Sequence, residues 1–177
     1  TLLAIVITAG RASPADPWRP VLQWNTFADL CYGNGQFLAR VGYANVPGTT
    51  KPNVLVRSPD GIHWTRQYLG TDVFPQGSEL VKVAFGNGTF VAVASGTPYS
   101  GGELAAVVSS SDGIIWSNRF SSAGIRFEDL TYSDGQFVAA GRATLLVGEG
   151  SRSFILTSAD GIFWRRLGTI KGYGFQS

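Results

Sequence analysis

Short apolar runs interrupted by polar positions recur along the chain, and glycine turns stop each of them. The runs "FADLCY", "ELVKVAF" and "FEDLTY" lead into Asn34-Gly35, Asn87-Gly88 and Asp134-Gly135, and then into "QFLARVG", "TFVAVAS" and "QFVAAGR". Two strand-length runs around an Asn-Gly or Asp-Gly pair predict a hairpin, because both central residues of a type I′ turn need positive φ. A connection of variable length leads to a third run, "NVLVRS", "LAAVVSS" or "SFILTS". A tight Asp-Gly turn then opens a fourth, "HWTRQ", "IWSNRF" or "FWRRL". No stretch carries a helical period of 3.6, so the pattern predicts an all-β chain.

The turn before the fourth run is written three times: "SPDGIHW" at Ser58 to Trp64, "SSDGIIW" at Ser110 to Trp116, and "SADGIFW" at Ser158 to Trp164. From the hairpin glycine to the Trp is 29, 28 and 29 residues, and Trp to Trp is 52 and then 48. Such a steady period predicts a tandem array of one four-stranded supersecondary unit. The units expected are 27–70, 71–122 and 123–168. Residues 1–26 read as a partial unit, with "AIVIT" as its third strand and "PWRPVLQ" around Trp18 as its fourth. The opening "TLLAIVITAGRASPA" also fits the tail of a signal peptide, with the strand reading preferred. Residues 169–177 offer the start of one further strand.

In these turns the carboxylates of Asp60, Asp112 and Asp160 are placed to accept backbone N–H groups just ahead of them. Gly61, Gly113 and Gly161 take the positive φ. The Ile and Trp of each copy are expected to anchor the turn in the core; burying Trp64, Trp116 or Trp164 removes about 200 Å² from water. With Ser58, Ser110 and Ser158 these residues read as folding devices. Single aspartates some 50 residues apart do not resemble the dense acid spacing of a calcium loop.

Composition narrows the function. A chain of 177 residues with 44% hydrophobic content can bury a sizeable core. With 14 basic against 12 acidic side chains and no long run of either sign, neither nucleic acid nor an anionic membrane surface is the expected partner, and no membrane insertion is expected. Cys31 is the only cysteine and His63 the only histidine. An intrachain disulfide, a Cys-based zinc site and a multi-histidine metal site are therefore excluded, and a Ser-His-Asp triad is a forced reading. Cys31, in "DLCYG", reads as a buried inert thiol. Nothing implies a cofactor or a metal.

The thrice-written segment resembles the Asp-box, the Ser-x-Asp-x-Gly-x-x-Trp hairpin of sialidase-like β-propellers, although it lacks the spacer between Asp and Gly. The full unit, with "GNGQF" leading to "DGIxW", is similar to the bacterial propeller repeats of that superfamily (BNR-like) over residues 27–167. The resemblance implies blades of four antiparallel strands around an axis, here about three and a half of them. A β-trefoil is the alternative fold. Three and a half blades cannot close a ring of four to eight. Their bare faces call for the remaining blades of a longer chain, then for a second copy, or for another subunit.

Enzymes of the resembled family use an arginine cluster, a Tyr–Glu nucleophile pair and an acidic catalyst. Arg40, Arg57, Arg126, Arg142, Glu128 and Tyr132 do not recur at matching positions, and no Arg-Ile-Pro motif is present. Glu128 and Asp129 are adjacent on one strand and so are expected on opposite faces. No catalytic residue is assigned. The expected function is a non-catalytic binding or assembly module. Its glycan or protein partner would dock where the variable loops 43–53, 95–103 and 142–152 gather. Tyr43 and Tyr99 are the candidates for stacking on a sugar or anchoring a protein, or else are ordinary loop tyrosines. The alternative is a portion of a sialidase-like glycoside hydrolase with its catalytic residues largely outside this chain. The scarcity of Cys and Met and the Gly/Ser/Thr content point to a secreted or cell-surface location.

Overall fold

The computed structural model describes residues 26–42, 53–97, 102–144 and 151–170. The expectations for residues 1–25 and 171–177, and those for Tyr43 and Tyr99, lie outside the described residues.

Twelve strands form three antiparallel sheets, each holding four consecutive strands in chain order. Blade 1 contains β1 (Thr26–Gly33), β2 (Gln36–Gly42), β3 (Asn53–Ser58) and β4 (Thr65–Leu69). Blade 2 contains β5 (Ser78–Gly86), β6 (Thr89–Gly96), β7 (Leu104–Ser110) and β8 (Ser117–Ala123). Blade 3 contains β9 (Ile125–Ser133), β10 (Gln136–Thr144), β11 (Ser151–Ser158) and β12 (Arg165–Ile170). Among the described residues there is no helix. The first strands neighbour one another, β1 beside β5 and β5 beside β9. Sheets that keep their own strands and meet along their first strands make a partial β-propeller and not a trefoil. β12 continues to Ile170, so residues 169 and 170 end the third unit and do not begin a new strand.

The first hairpins follow the sequence closely. Asn34, Asn87 and Asp134 have φ of 46°, 46° and 49°, and Gly35, Gly88 and Gly135 have 75°, 73° and 75°. Both central residues are thus left-handed, as a type I′ turn requires.

Strand alternation gives the middle blade two apolar faces. Phe90, Ala92, Ala106, Val108 and Trp116 face blade 1, against Leu38, Leu55 and Leu69. Val91, Val93, Ala105 and Val107 face blade 3, against Phe127, Leu130, Phe137 and Leu156. These are two interblade layers, each a face-to-face packing of sheets, and a third buried cluster of Ala39, Val41, Val54, Val56 and Trp64 lies on the other face of blade 1.

Two local expectations need correction. Ile62, Ile114 and Ile162 do not anchor the core; they are 54%, 45% and 37% exposed, because the carboxylate-capped bend turns them out of the sheet. Trp64 and Trp116 are buried, and Trp164 only partly. Strict alternation also fails between Glu128 and Asp129. Gly141 opposes Phe127 and Ala140 opposes Asp129, which leaves Glu128 as a bulge.

Candidate functional site

Each repeated turn is closed by its own side chains. Ser58 Oγ donates to Asp60 Oδ1 (2.9 Å) and accepts from Gly61 N (2.8 Å). Asp60 Oδ1 accepts from Ile62 N and His63 N, both at 2.8 Å. Asp112 Oδ1 accepts from Ile114 N and Ile115 N, and Asp160 Oδ1 from Ile162 N and Phe163 N. The indole of Trp64 donates back to Gly61 O (3.0 Å), and Trp116 and Trp164 repeat this onto Gly113 O and Gly161 O. The glycines carry φ of 74°, 69° and 74°.

These bonds favour the ionised carboxylates. The backbone N–H groups of Ile115 and Ile114 hold Asp112 below the usual carboxylate range, and those of Phe163 and Ile162 do the same for Asp160. Asp60 is lowered most by the His63 ring, whose Nδ1 lies 2.6 Å from Oδ2, and then by the His63 and Ile62 amides. Carboxylates lowered in this way are poor general acids and bases at neutral pH.

A second set of bonds joins blade to blade, and it runs in one direction. Side chains of the earlier blade grip backbone of the later one. Asn34 Nδ2 donates to Gly88 O (3.1 Å) and Ser111 O (2.7 Å), and Asn87 Nδ2 donates to Ala159 O (3.2 Å). Asn53 accepts from Leu80 N (2.7 Å) and donates to Ser78 O (3.0 Å). Ser95 Oγ exchanges both bonds with the Phe127 backbone, at 2.7 and 3.2 Å. Between these clasps, an aromatic ring of the later blade sits on a glycine of the earlier one. A Cβ on Gly33 would land in the Phe85 ring, and one on Gly86 in the Tyr132 ring. In blade 3 the same two columns hold Ser133 and Asp134. The first carries a Cβ, and the second has no amide N–H₂ to donate as Asn34 and Asn87 do.

The first strands add a feature that strand periodicity did not reveal. Each carries a bulge at the same place: at Ala28 in β1, at Val81 in β5 and at Glu128 in β9. The residue after each bulge is charged: Asp29, Lys82 and Asp129. Lys82 Nζ lies 3.7 Å from Asp29 Oδ1 and 3.8 Å from Asp129 Oδ1, so one ammonium bridges carboxylates from both neighbouring blades. Asp29 Oδ2 also accepts from Val83 N (2.7 Å). Bulges next to binding sites commonly re-aim a side chain. Lining up the three hairpin glycines would have exposed this column, since all three residues stand six positions before them.

The other residues singled out in the sequence stay apart from this row. Arg40 donates to Leu80 O (2.9 Å), across the first blade junction. Arg126 and Arg142 lie 3.7 and 3.6 Å from the Glu128 carboxylate, and Arg142 lies 3.4 Å from Glu103. Arg57 sits on β3. The Tyr132 ring packs on Phe137 with centroids 4.7 Å apart. The Cys31 thiol is pushed up to about 12 by burial and then by the Asp29 charge, which leaves it a poor nucleophile. Among the described residues no group of three or more His, Cys, Asp or Glu converges as metal ligands would.

No family model matches the chain, and no curated protein matches it. Solved structures do. Sucrose-6-phosphate hydrolase from Lactobacillus gasseri aligns with a TM-score of 0.52 at 18% identity, over 92% of this chain and 38% of that one. Fructan 1-exohydrolase IIa from Cichorium intybus, in complex with 1-kestose, aligns with a TM-score of 0.52 at 12% identity, over 86% and 33%. These are β-propeller glycoside hydrolases, and the likeness is one of fold. The chain spans about a third of their length.

Proposed function

We propose that this chain is a section of a larger β-propeller whose role is non-catalytic binding or assembly, with the missing blades supplied by polypeptide of a different sequence. One observation carries this reading. In β1, Phe27 and Leu30 are 45% and 56% exposed, whereas their counterparts Leu80, Phe127, Val83 and Leu130 are buried in the blade junctions. Tyr32 is 58% exposed, where its counterparts Phe85 and Tyr132 are partly buried. The incoming face of the first strand thus waits for the inner strands of a preceding blade, whose glycine would receive Tyr32. Blade 3 of a second copy is a poor candidate, because Ser133 stands where that glycine is needed. This argues against head-to-tail ring closure by a homodimer. The Asp-box kinship of the turns and a secreted or cell-surface location belong to the same reading, supported by the three repeats and by the Gly/Ser/Thr-rich composition. Tyr43 and Tyr99 remain its candidate ligand contacts on the loops.

Mass in solution and amide exchange test it. The 177-residue chain alone should self-associate through β1 or exchange the β1 amides rapidly, and the full-length gene product should protect them. A monomer with protected β1 amides overturns the proposal.

The second reading is a portion of a glycoside hydrolase, sialidase-like in its turns. Asp29 and Asp129 on either side of Lys82 favour it, together with the fold of the aligned enzymes. Hydrolysis of fluorogenic glycosides by the full-length product, lost on Asp29→Asn or Asp129→Asn, would establish this reading and sink the first.

A further inference from the structure

The two blade junctions close differently at their outer ends. Between β4 and β5 the chain runs through Gly70–Gly77, and Val73 N and Phe74 N both donate to Gly70 O, at 3.2 and 3.0 Å. This turn drives Phe74 into the first junction, where it is 1% exposed in the core cluster with Leu69, Leu80, Ala106 and Trp116. Asn118 of β8 holds the plug in place by donating to Val73 O (3.0 Å).

Among the described residues the second junction has no such plug. Only Gly124 separates β8 from β9. What remains is a cavity of about 330 Å³ lined by Phe120, Ile125, Phe154, Leu156, Trp164 and Arg166, with Ser122 at its edge. That volume is at the lower end of small-ligand and side-chain sites, about 300–1,000 Å³. The columns correspond: Leu156 stands for Val108, Trp164 for Trp116 and Arg166 for Asn118. Phe154 stands for Ala106 and fills part of the space, with the Arg166 guanidinium 5.6 Å above its ring. Among the described residues no carboxylate pairs with Arg166.

We infer that the outer end of the junction between blades 2 and 3 is a socket for an aromatic side chain carried on an acidic peptide segment of a partner protein. The first junction shows what this shape accepts: a phenylalanine whose preceding carbonyl is held by the residue in the column of Arg166. Arg166 presents five donors and a fixed charge where Asn118 presents one amide, so a carboxylate near the aromatic residue complements it. The β8–β9 connection cannot supply the plug, because a single glycine spans it. The inference is independent of how the ring is completed.

The chain carries its own probe. A fluorescein-labelled peptide Gly-Thr-Asp-Val-Phe-Pro-Gln-Gly, copying residues 70–77, is titrated with the 177-residue chain and followed by fluorescence polarisation. Saturable binding is expected, weakened at least tenfold when the peptide Phe is replaced by Ala. Ser122→Trp, which fills the mouth of the cavity from a strand edge, should weaken it to a similar degree. Arg166→Glu, an exposed change, should weaken the acidic peptide severalfold and be rescued by a peptide with Lys in place of Asp. Circular dichroism confirms that both variants are folded. No saturable binding, or binding indifferent to both Ser122→Trp and Arg166→Glu, overturns the inference. Phenylacetate competing as tightly as the peptide also overturns it, by making the cavity a small-molecule site.

Discussion

The junction between blades 1 and 2 and the junction between blades 2 and 3 share the glycine and hairpin-Asn columns, but their outer ends are finished differently. Their second clasp comes from different strands, Asn53 of β3 in one and Ser95 of β6 in the other. In the first, Gly33 receives Phe85, Asn34 clasps two backbone carbonyls, Asn53 clasps Leu80, and Phe74 seals the outer end. In the second, Gly86 receives Tyr132, Asn87 clasps Ala159 O and Ser95 clasps Phe127, but among the described residues the outer end holds a cavity in place of a plug. The lesson is that inner and outer halves of a junction are independent. The inner half is a repeated lock that fixes blade against blade. The outer half is a space that the connection between blades either fills or leaves available.

The largest expected effect breaks the seal. Phe74→Ala should lower stability by about 3–5 kcal/mol in urea unfolding, as large-to-small changes of a buried aromatic do. Phe120→Ala, whose ring already borders open space, should cost clearly less. Equal losses would mean that the two outer ends are not different in kind. Gly33→Ser copies the third blade into the first and forces a side chain against Phe85. It should cost about 1–3 kcal/mol, as overpacking does. An unchanged midpoint would show that the ring-on-glycine lock is dispensable. Asn34→Asp, again copying blade 3, exchanges a donor for an acceptor facing two carbonyls. A loss on the order of 1 kcal/mol is expected for those hydrogen bonds, read as a shifted denaturation midpoint with an unchanged slope.

The smallest effect concerns pH. Asp112 is held below its ordinary value by the Ile115 and Ile114 amides, so the unfolded chain binds more protons in the acid range. The stability it contributes is fully present above the ordinary carboxylate value of about 3.9. It is lost as pH falls through the lower value of the folded state. Asp112→Asn should therefore flatten the acid limb of a plot of melting temperature against pH. An unaltered acid limb would remove the carboxylate cap from the account of the turn.

Most of the architecture was legible because the repeat writes its turns in glycine. Asn34-Gly35 and its two counterparts predict hairpins by backbone sterics alone, and the spacing to Trp64, Trp116 and Trp164 set the four-strand unit. The misreadings have physical causes. Ile62 and its counterparts follow a Gly in an apolar-looking word, but the carboxylate-capped bend points them to solvent, and no periodicity applies within a bend. The bulges at Ala28, Val81 and Glu128 leave no local signature, so strand alternation hid the row of Asp29, Lys82 and Asp129. Phe74 lies in a stretch rich in turn formers, where an apolar residue passes for loop filling. Its burial depends on a partner sheet far along the chain. The charge row became visible only when the blades were compared with one another, not when each was read alone.

The clasps between blades have one further consequence. Asn34, Asn53 and Ser95 recognise main-chain atoms of the next blade, which every residue type provides. These particular bonds follow the path of the neighbour's backbone, while the apolar layers beside them read its side chains. Side chains on the exposed edges of a leaflet can then vary without disturbing the clasps. The glycine beneath an incoming ring must be kept, and in blade 3 Ser133 stands in its column.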